Sequence, residues 1–158
     1  MGQLEDRMRE VNAASGEILR AGVHAETRVD LFVAGYFAGW DEKKAGLLND
    51  LFLAEFLDFE KKNRLFKRIC EVEDVSAKDA NEVFNAAESI RRVRNKIAHY
   101  EPVIEAPSGK VKLQPRKGTI QPSERLEIDA ALVKLVAEKS AAVTQGLAKI
   151  TQKLQKKA

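Results

Sequence analysis

Apolar side chains recur every three or four positions along most of the chain, the spacing that places them on one face of a helix. The strongest such segment runs from His24 to Ala38, and its apolar positions are Val29, Phe32, Val33, Tyr36 and Phe37. The residues before Gly22 show the same spacing more weakly, and Ser15-Gly16 is expected to interrupt a helix there. Gly39-Trp40 is expected to end the stronger segment.

Three further helices are predicted to begin at residues whose side chains can accept hydrogen bonds from free backbone N–H groups. Asp41 precedes a segment with Leu47, Leu48, Leu51, Phe52 and Phe56 on adjoining faces. Asp58 precedes a shorter amphipathic segment whose polar side reads KKNRLFKR. Ser76 precedes a long helix, which Pro102 should end near Tyr100 because proline cannot continue the hydrogen-bond ladder.

The pattern changes over residues 103–123. The sequence VIEAPSGKVKLQ favours a small hairpin in which Ser108-Gly109 turns between Val103-Ile104 and the segment 111–113. The following PRKGTIQP is expected to be a loop or a short strand, and helical spacing resumes over residues 124–155. The sequence therefore predicts a single all-α domain over residues 1–158, an antiparallel helical bundle with a short irregular or β-hairpin insertion before its last helix.

Composition agrees with a folded helical protein. The chain has 158 residues, of which 44% are hydrophobic and 32% charged, so it can bury a core of its own and is unlike disordered or collagen-like chains. Lys and Arg number 27 against 24 acids. The resulting charge of +3 is too small to indicate nucleic-acid binding by itself, so the local clustering of charges is more informative.

Cys70 is the only cysteine, which excludes an internal disulfide and a thiolate zinc site and favours a reducing compartment. The first 23 residues contain no apolar run of signal-peptide length. The longest apolar stretch, Leu31–Trp40, is far shorter than the roughly 20 residues needed to cross a membrane. We therefore expect a cytoplasmic protein with no membrane association, no cofactor and no metal site.

The stretch most suggestive of chemistry is SIRRVRNKIAHYEP, over residues 89–102. Here Arg94 is followed after four residues by His99, and Asn95 comes directly after the arginine. This stretch resembles the HEPN superfamily of all-helical domains, which carry an arginine, four to six residues and then a histidine near a helix end. The resemblance covers roughly residues 24–102. Arg92 satisfies the longer spacing, so the choice of arginine stays open.

The resemblance implies a metal-independent endoribonuclease of a defence, toxin or stress-response system. It implies that two protomers pair so that two motifs line one cleft, and an antitoxin or another protein partner is expected. His99 would act as general acid or base on the ribose 2′-OH, because the usual histidine pKa of about 6.5 suits neutral pH. Arg94 would bind the phosphate, and Asn95 would orient the histidine or bind a phosphate oxygen.

Helix geometry leaves a structural role open for both residues. At about 100° per residue, Arg94 and His99 lie about 140° apart, whereas Asn95 and His99 share a face with Arg92 and Glu88. Arg94 could therefore point towards the core and pair with a carboxylate such as Glu26, Glu55 or Asp30. His99 could simply interact with the carbonyl groups that end its helix.

Basic side chains near the motif, together with Tyr100, form a candidate phosphate-binding surface. Its members are Lys61, Lys62, Arg64, Arg91, Arg92, Lys96 and Tyr100. The alternative is a solvated face balanced by neighbouring acids. The bases of the insertion form a further candidate: Lys110, Lys112, Arg116 and Lys117.

Three functions follow from these features. A homodimeric RNase requires Arg94 and His99 to converge on an exposed groove. A non-catalytic HEPN-like module would bind a nucleotide, RNA or a protein partner without cleaving RNA. A helical interaction protein outside the family would leave Arg94 in an ion pair and His99 isolated.

Overall fold

The computed structural model describes residues 2–116, 118 and 122–157, and helices make up 77% of them. The helices are α1 (Gly2–Phe37), α2 (Glu42–Leu48), α3 (Ala54–Phe56), α4 (Phe59–Val72), α5 (Ala77–His99) and α6 (Ala130–Gln155). A π-helical turn, Asn49–Leu53, joins α2 directly to α3. The strands are β1 (Tyr100–Glu105), β2 (Lys110–Pro115) and β3 (Leu126–Glu127).

Helix α1 is continuous through Ser15-Gly16, so the expected interruption is wrong. A glycine inside a helix costs only about 1 kcal/mol relative to alanine. Burial of Val11 and Ile18 on either side of Gly16 outweighs that cost. The expected end of the helix is confirmed, since Gly39 and Trp40 both have positive φ angles.

The three expected N-caps are present. The Asp41 carboxylate accepts a hydrogen bond from the Lys44 backbone N–H (3.0 Å), and Asp58 accepts one from Lys61 (2.8 Å). Ser76 Oγ accepts the N–H of Asp79 at 3.2 Å and so begins α5. Because these caps fix where α4 and α5 start, they also fix which side chains of each helix face its neighbours.

The insertion forms a three-stranded antiparallel sheet, so the fold is mostly helical rather than purely α. The expected hairpin is present, with Val103 opposite Lys112 and Ile104 opposite Val111, but β1 already begins at Tyr100, directly after α5. Leu126 pairs with Leu113 as part of β3. Helix α6 therefore starts later than the expected residue 124, after Asp129 caps it through the Leu132 N–H. Within the stretch expected to be a loop or strand, residues 117 and 119–121 lie outside the described residues.

The core lies where α1, α4, α5 and α6 pack together. Its largest fully buried side chains include Phe66 of α4, Ile90 of α5 and Ile150 of α6. Helices α5 and α6 approach closely at Gly146, where an added Cβ would lie 2.3 Å from Val83 Cγ2. This packing holds α5 firmly along most of its length and leaves its last turns at the surface beside the sheet.

Candidate functional site

The motif lies in the last turns of α5, which end at His99. Proline at 102 restricts the residue before it and cannot donate to a helix, so the chain leaves α5 as a strand. Tyr100 has an extended backbone, donates its N–H to the Lys96 carbonyl and packs its partly buried ring against the core. Tyr100 therefore has a packing role in the fold.

Arg94 points towards α1 and forms an ion pair with Glu26, with Arg94 Nη1 2.5 Å from Glu26 Oε2. Its side chain lies over Gly22, where an added Cβ would be 3.0 Å from Arg94 Cδ. The guanidinium carbon also lies 5.9 Å from the centre of the Phe59 ring. Arg94 is thus held by two helices, α1 and α4, on the core side of α5, which is the structural role that helix periodicity left open for it.

Glu26 connects Arg94 to a buried charge cluster between α1 and α4. Lys62 Nζ lies 3.0 Å from Glu26 Oε1 and 3.0 Å from Asp30 Oδ1, and it donates a hydrogen bond of good geometry to Asp30 Oδ2 at 3.1 Å. The Lys62 side chain is only 4% exposed. Burial raises the pKa of the Asp30 carboxyl above its usual value, and the contacts with Lys62 only partly offset this effect.

This cluster removes Lys62 from the expected phosphate-binding surface. Its ammonium group is enclosed between two carboxylates, so it does not face solvent with Lys61 and Arg64. Those two side chains are exposed on α4, where Lys61 pairs with Asp58 and Arg64 pairs with Glu60. The side of α4 that reads as basic in the sequence is therefore largely balanced by acids within one helical turn.

Glu88 binds two further arginines of the motif stretch, Arg91 and Arg92. It accepts hydrogen bonds from two nitrogens of Arg91, and Arg91 also contacts Glu60 on α4 at 3.3 Å. The Arg91 guanidinium holds the pKa of the Glu88 carboxyl below its usual range, and the same contact raises the pKa of Arg91. Arg91 is therefore mostly occupied in joining α4 to α5.

Arg92 is freer than its neighbours. Its side chain is 72% exposed. Among the described residues it contacts one acid, through a hydrogen bond of 3.3 Å from Arg92 Nε to Glu88 Oε1. The terminal guanidinium nitrogens of Arg92 are available to a ligand in consequence. Lys96 is also exposed, and its ammonium has no ion-pair partner in the part of the chain that the structure describes.

Asn95 and His99 complete an exposed polar strip on this side of α5. The side chains of Arg92, Asn95 and His99 lie on one face because they are separated by three, four and seven positions. His99 is exposed and Asn95 is partly exposed, and neither side chain makes a hydrogen bond to any other described residue. The structure therefore brings Arg92, Asn95 and His99 together and leaves Arg94 on a different side of the helix.

Two features have no counterpart in the sequence-based predictions. His24 Nδ1 lies 3.4 Å from Ser140 Oγ of α6, and Arg28 Nε donates to His24 Nε2 at 3.4 Å. This arrangement links α1 to α6 and leaves His24 occupied. A groove of about 790 Å³ also separates the first half of α1 from β2 and the start of α6, with acidic and basic side chains mixed along its rim.

The other expectations concern metals, thiols and membranes. Among residues 2–116, 118 and 122–157 there is no group of His, Cys, Asp and Glu side chains suited to hold a metal ion, and no helix is both long and apolar enough to span a membrane. Cys70 is buried, and burial raises the pKa of its thiol to about 12, which disfavours the nucleophilic thiolate form. Lys110 and Lys112 pair with Glu127 and Glu105, and Lys117 lies outside the described residues.

Comparison with models of known protein families, with curated protein sequences and with solved structures found no match.

Proposed function

We propose that this protein binds RNA on the exposed face of α5 and cleaves it without a metal ion, using His99 as the proton-transfer group and Arg92 as the phosphate-binding group. The observation that carries the proposal is the exposed strip of Arg92, Asn95 and His99. Most polar atoms of these three side chains make no hydrogen bond or ion pair with the described residues, whereas the guanidinium groups of Arg91 and Arg94 form ion pairs with carboxylates.

The choice of Arg92 revises the role that the HEPN resemblance gives to Arg94. Both arginines satisfy the family's spacing, since six residues separate Arg92 from His99. Seven positions along a helix correspond to about 10 Å and bring the two residues back to the same face. An arginine and a histidine at that separation can both reach one phosphate group placed between them.

In the proposed reaction, His99 removes the proton from a ribose 2′-OH, and the resulting oxygen attacks the adjacent phosphorus. The P–O5′ bond breaks, the leaving 5′ oxygen takes up a proton, and the products are a 2′,3′-cyclic phosphate and a free 5′-OH. Arg92 would stabilise the charge on the phosphate oxygens, and Asn95 would hold the substrate or the imidazole by a hydrogen bond.

The reaction needs a base to remove the 2′-OH proton and an acid to protonate the leaving 5′ oxygen. The strip of Arg92, Asn95 and His99 provides one histidine, which can serve as one of the two. The proposal therefore includes the homodimer implied by the resemblance, in which the partner supplies the second proton-transfer group. It also places the protein in the cytoplasm, in agreement with its single cysteine, and in a defence, toxin or stress response in which a protein partner would restrain the activity.

Cleavage of a labelled RNA pool in the presence of EDTA tests the proposal. We expect the wild-type protein to cut the RNA and leave cyclic phosphate ends, and His99→Ala to lose the activity. His24→Ala is the matched control, because His24 contacts Ser140 and Arg28 within the fold and has no part in the proposed site. Equal cleavage by wild-type protein and His99→Ala would refute the role of His99, and no cleavage by either would refute the RNase.

A second candidate function is a non-catalytic helical module that binds a protein partner. The observation that favours it is the Arg94–Glu26 pair, because an arginine so engaged is unavailable to the phosphate that the family motif would hold. In that case wild-type protein would leave RNA intact, and His99→Ala would change neither RNA integrity nor the association of the protein with its partner.

A further inference from the structure

The solvent-facing side of α5 carries polar side chains along its whole length, well beyond the strip described above. Lys78, Asn81 and Asn85 continue that strip towards the start of the helix, because intervals of three, four and seven positions keep side chains on one face. All three are exposed, and their side chains make no hydrogen bond or ion pair with another described residue. We call these three residues and the strip together the α5 track. It is about 30 Å long from Lys78 to His99, at about 1.5 Å per residue.

The two amides in the first half of the track bind nothing within the part of the fold that the structure describes. Asparagine is a poorer helix former than alanine, and neither Asn81 nor Asn85 gains a hydrogen bond there in return. Each amide offers two N–H donors and an acceptor oxygen. They therefore suit a ligand that presents both donors and acceptors, as the edges of nucleic-acid bases do.

At the start of the track, bases outnumber acids. Lys149 and Lys153 of α6 each place Nζ 2.8 Å from a carboxylate oxygen of the same acid, Asp79. The other acid of this part of α5 is Glu82, whose charge acts on Lys149, whereas Lys78 has no ion-pair partner among the described residues. The adjoining turn before α5 and the end of α6 add equal numbers of acids and bases: Glu73, Asp74, Lys156 and Lys157. Three lysines therefore face two acids.

The other end of the track also has more bases than acids. The bases there are Arg64, Arg91, Arg92 and Lys96, and the acids that contact or adjoin them are Glu60, Glu88 and Glu101. Lys61 and Asp58 neutralise each other beside this group. Between the two ends, the track offers neutral amides. This pattern suits a flexible polyanion that carries bases, with its phosphates at the two basic ends and its bases over the amides.

We propose that the α5 track binds a single strand of RNA that runs from the bond cut at His99 towards the start of the helix. Lys78 and Lys96 contact phosphates near the two ends of the track. The amides of Asn81 and Asn85 hydrogen-bond the edges of unpaired bases, which a duplex turns inwards. This inference rests on the proposed function for the position of the cut bond, and it adds the substrate that the same site prefers.

Cleavage of 2′-O-methyl RNA that contains one unmodified ribonucleotide tests the length of the track. Only one bond of each substrate can be cut, and nucleotides are added to one side of that bond at a time. We expect kcat/KM to rise with added nucleotides on one side of the bond, and to level off once the added chain spans about 30 Å. Annealing a complementary strand to that side should remove the gain, because paired bases cannot reach the amides.

Asn81→Ala/Asn85→Ala and Lys78→Ala test whether the strand follows α5. We expect each variant to lower the ratio of kcat/KM between long and short substrates at least about 5-fold, the equivalent of one ordinary hydrogen bond. The matched controls are Asn12→Ala on α1 and Lys43→Ala on α2, which replace exposed side chains away from α5 and should keep the wild-type ratio. All the substituted side chains are exposed, and circular dichroism checks that each variant is folded.

Binding of fully 2′-O-methylated RNA, which cannot be cut, separates this inference from the RNase activity. Phosphate contacts by Lys78, Arg92 and Lys96 predict that log Kd rises with log salt concentration with a slope of about 2, since each contact to a single strand contributes about 0.7. Lys78→Ala should lower that slope by about 0.7. Binding with these properties but without cleavage would refute the RNase and leave the track in place.

Equal kcat/KM for substrates of every length would refute the track and leave the RNase in place. A length-dependent gain, or an affinity for methylated RNA, that is the same in Asn81→Ala/Asn85→Ala, Lys78→Ala and wild type would also overturn the inference, because the strand would then follow another surface. A gain that persists after the complementary strand is annealed would overturn the preference for unpaired RNA. A wild-type protein that binds no methylated RNA at low salt would overturn the inference as a whole.

Discussion

Replacing Lys62 with methionine should destabilise the protein by about 3 kcal/mol, because it removes one partner from a buried ion pair and leaves the other charge uncompensated. Methionine fills a similar volume, so the loss of the ammonium is the main change. Asp30 would then face Glu26 without the cation that lies 3.0 Å from both carboxylates. For a chain of this length, about 3 kcal/mol corresponds to a fall in Tm of about 9 °C.

The size of the effect should depend on pH through Asp30. Burial already raises the folded-state pKa of this carboxyl above 3.8, and losing Lys62 should raise it further. A carboxyl whose pKa is higher in the folded than in the unfolded protein stabilises the folded state at pH values below its unfolded pKa, where it is protonated in both states. That stabilisation is lost as the pH rises through the folded pKa and the buried carboxyl becomes charged. The penalty of Lys62→Met should therefore be largest at neutral pH and shrink as the pH falls towards about 4.

Urea unfolding of wild-type protein and variants at several pH values measures this penalty. Lys61→Met is the matched control, since Lys61 is 63% exposed and its ion pair with Asp58 is worth at most about 1 kcal/mol. Lys62→Met/Asp30→Leu should recover most of the lost stability, because it removes both buried charges. If Lys62→Met lowers the free energy of unfolding no more than Lys61→Met does, the buried ion pairs of Lys62 do not stabilise the fold.

Three other predictions concern packing, surface charge and the thiol. Gly146→Ala should lower the free energy of unfolding by about 1–3 kcal/mol, because the added methyl group overpacks against Val83. Gly16→Ala, which has open space around it, should raise the free energy of unfolding by about 0.5–1 kcal/mol; equal shifts of Tm in the two variants would contradict the close contact of α5 and α6. Lys149 and Lys153 hold the pKa of Asp79 well below its usual range, so the ionised carboxylate stabilises the folded state and Asp79→Asn should lower Tm at neutral pH. This stabilisation is lost as the carboxylate is protonated, so a Tm difference between variant and wild type that persists far below a pH of about 4 would contradict the role of the charge. Cys70 should react with a thiol reagent only when the protein unfolds, and full labelling of the native protein would contradict its burial.

Local signals in the sequence were enough to predict most helix starts and the hairpin. Asp41, Asp58 and Ser76 cap the helices that they were expected to cap, because capping depends on side chains within three residues. The continuity of α1 across Gly16 and the pairing of Leu126 with Leu113 were not predictable in this way. Both depend on contacts with residues distant in the sequence, which outweigh local propensity.

The candidate site was predictable in outline and not in detail. Helical periodicity separated Arg94 from His99 and grouped Arg92, Asn95 and His99 on one face, and Glu26 was among three acids considered as partners of Arg94. The burial of Lys62 was missed because its neighbours in KKNRLFKR are exposed bases. Glu26 and Asp30 stand one turn apart on α1, and that spacing was the available signal for a shared cation.

Rates of RNA cleavage by Arg92→Ala and Arg94→Met, measured with EDTA present and beside their Tm values, separate the roles of the two arginines. We expect Arg92→Ala to lower the cleavage rate at least about 100-fold with little change in Tm, the size of effect typical for loss of a group that stabilises transition-state charge. We expect Arg94→Met to lower Tm by breaking the contact with Glu26, while the folded protein still cleaves RNA. Full activity in Arg92→Ala together with loss of activity in a stably folded Arg94→Met would show that Arg94, and not Arg92, binds the phosphate.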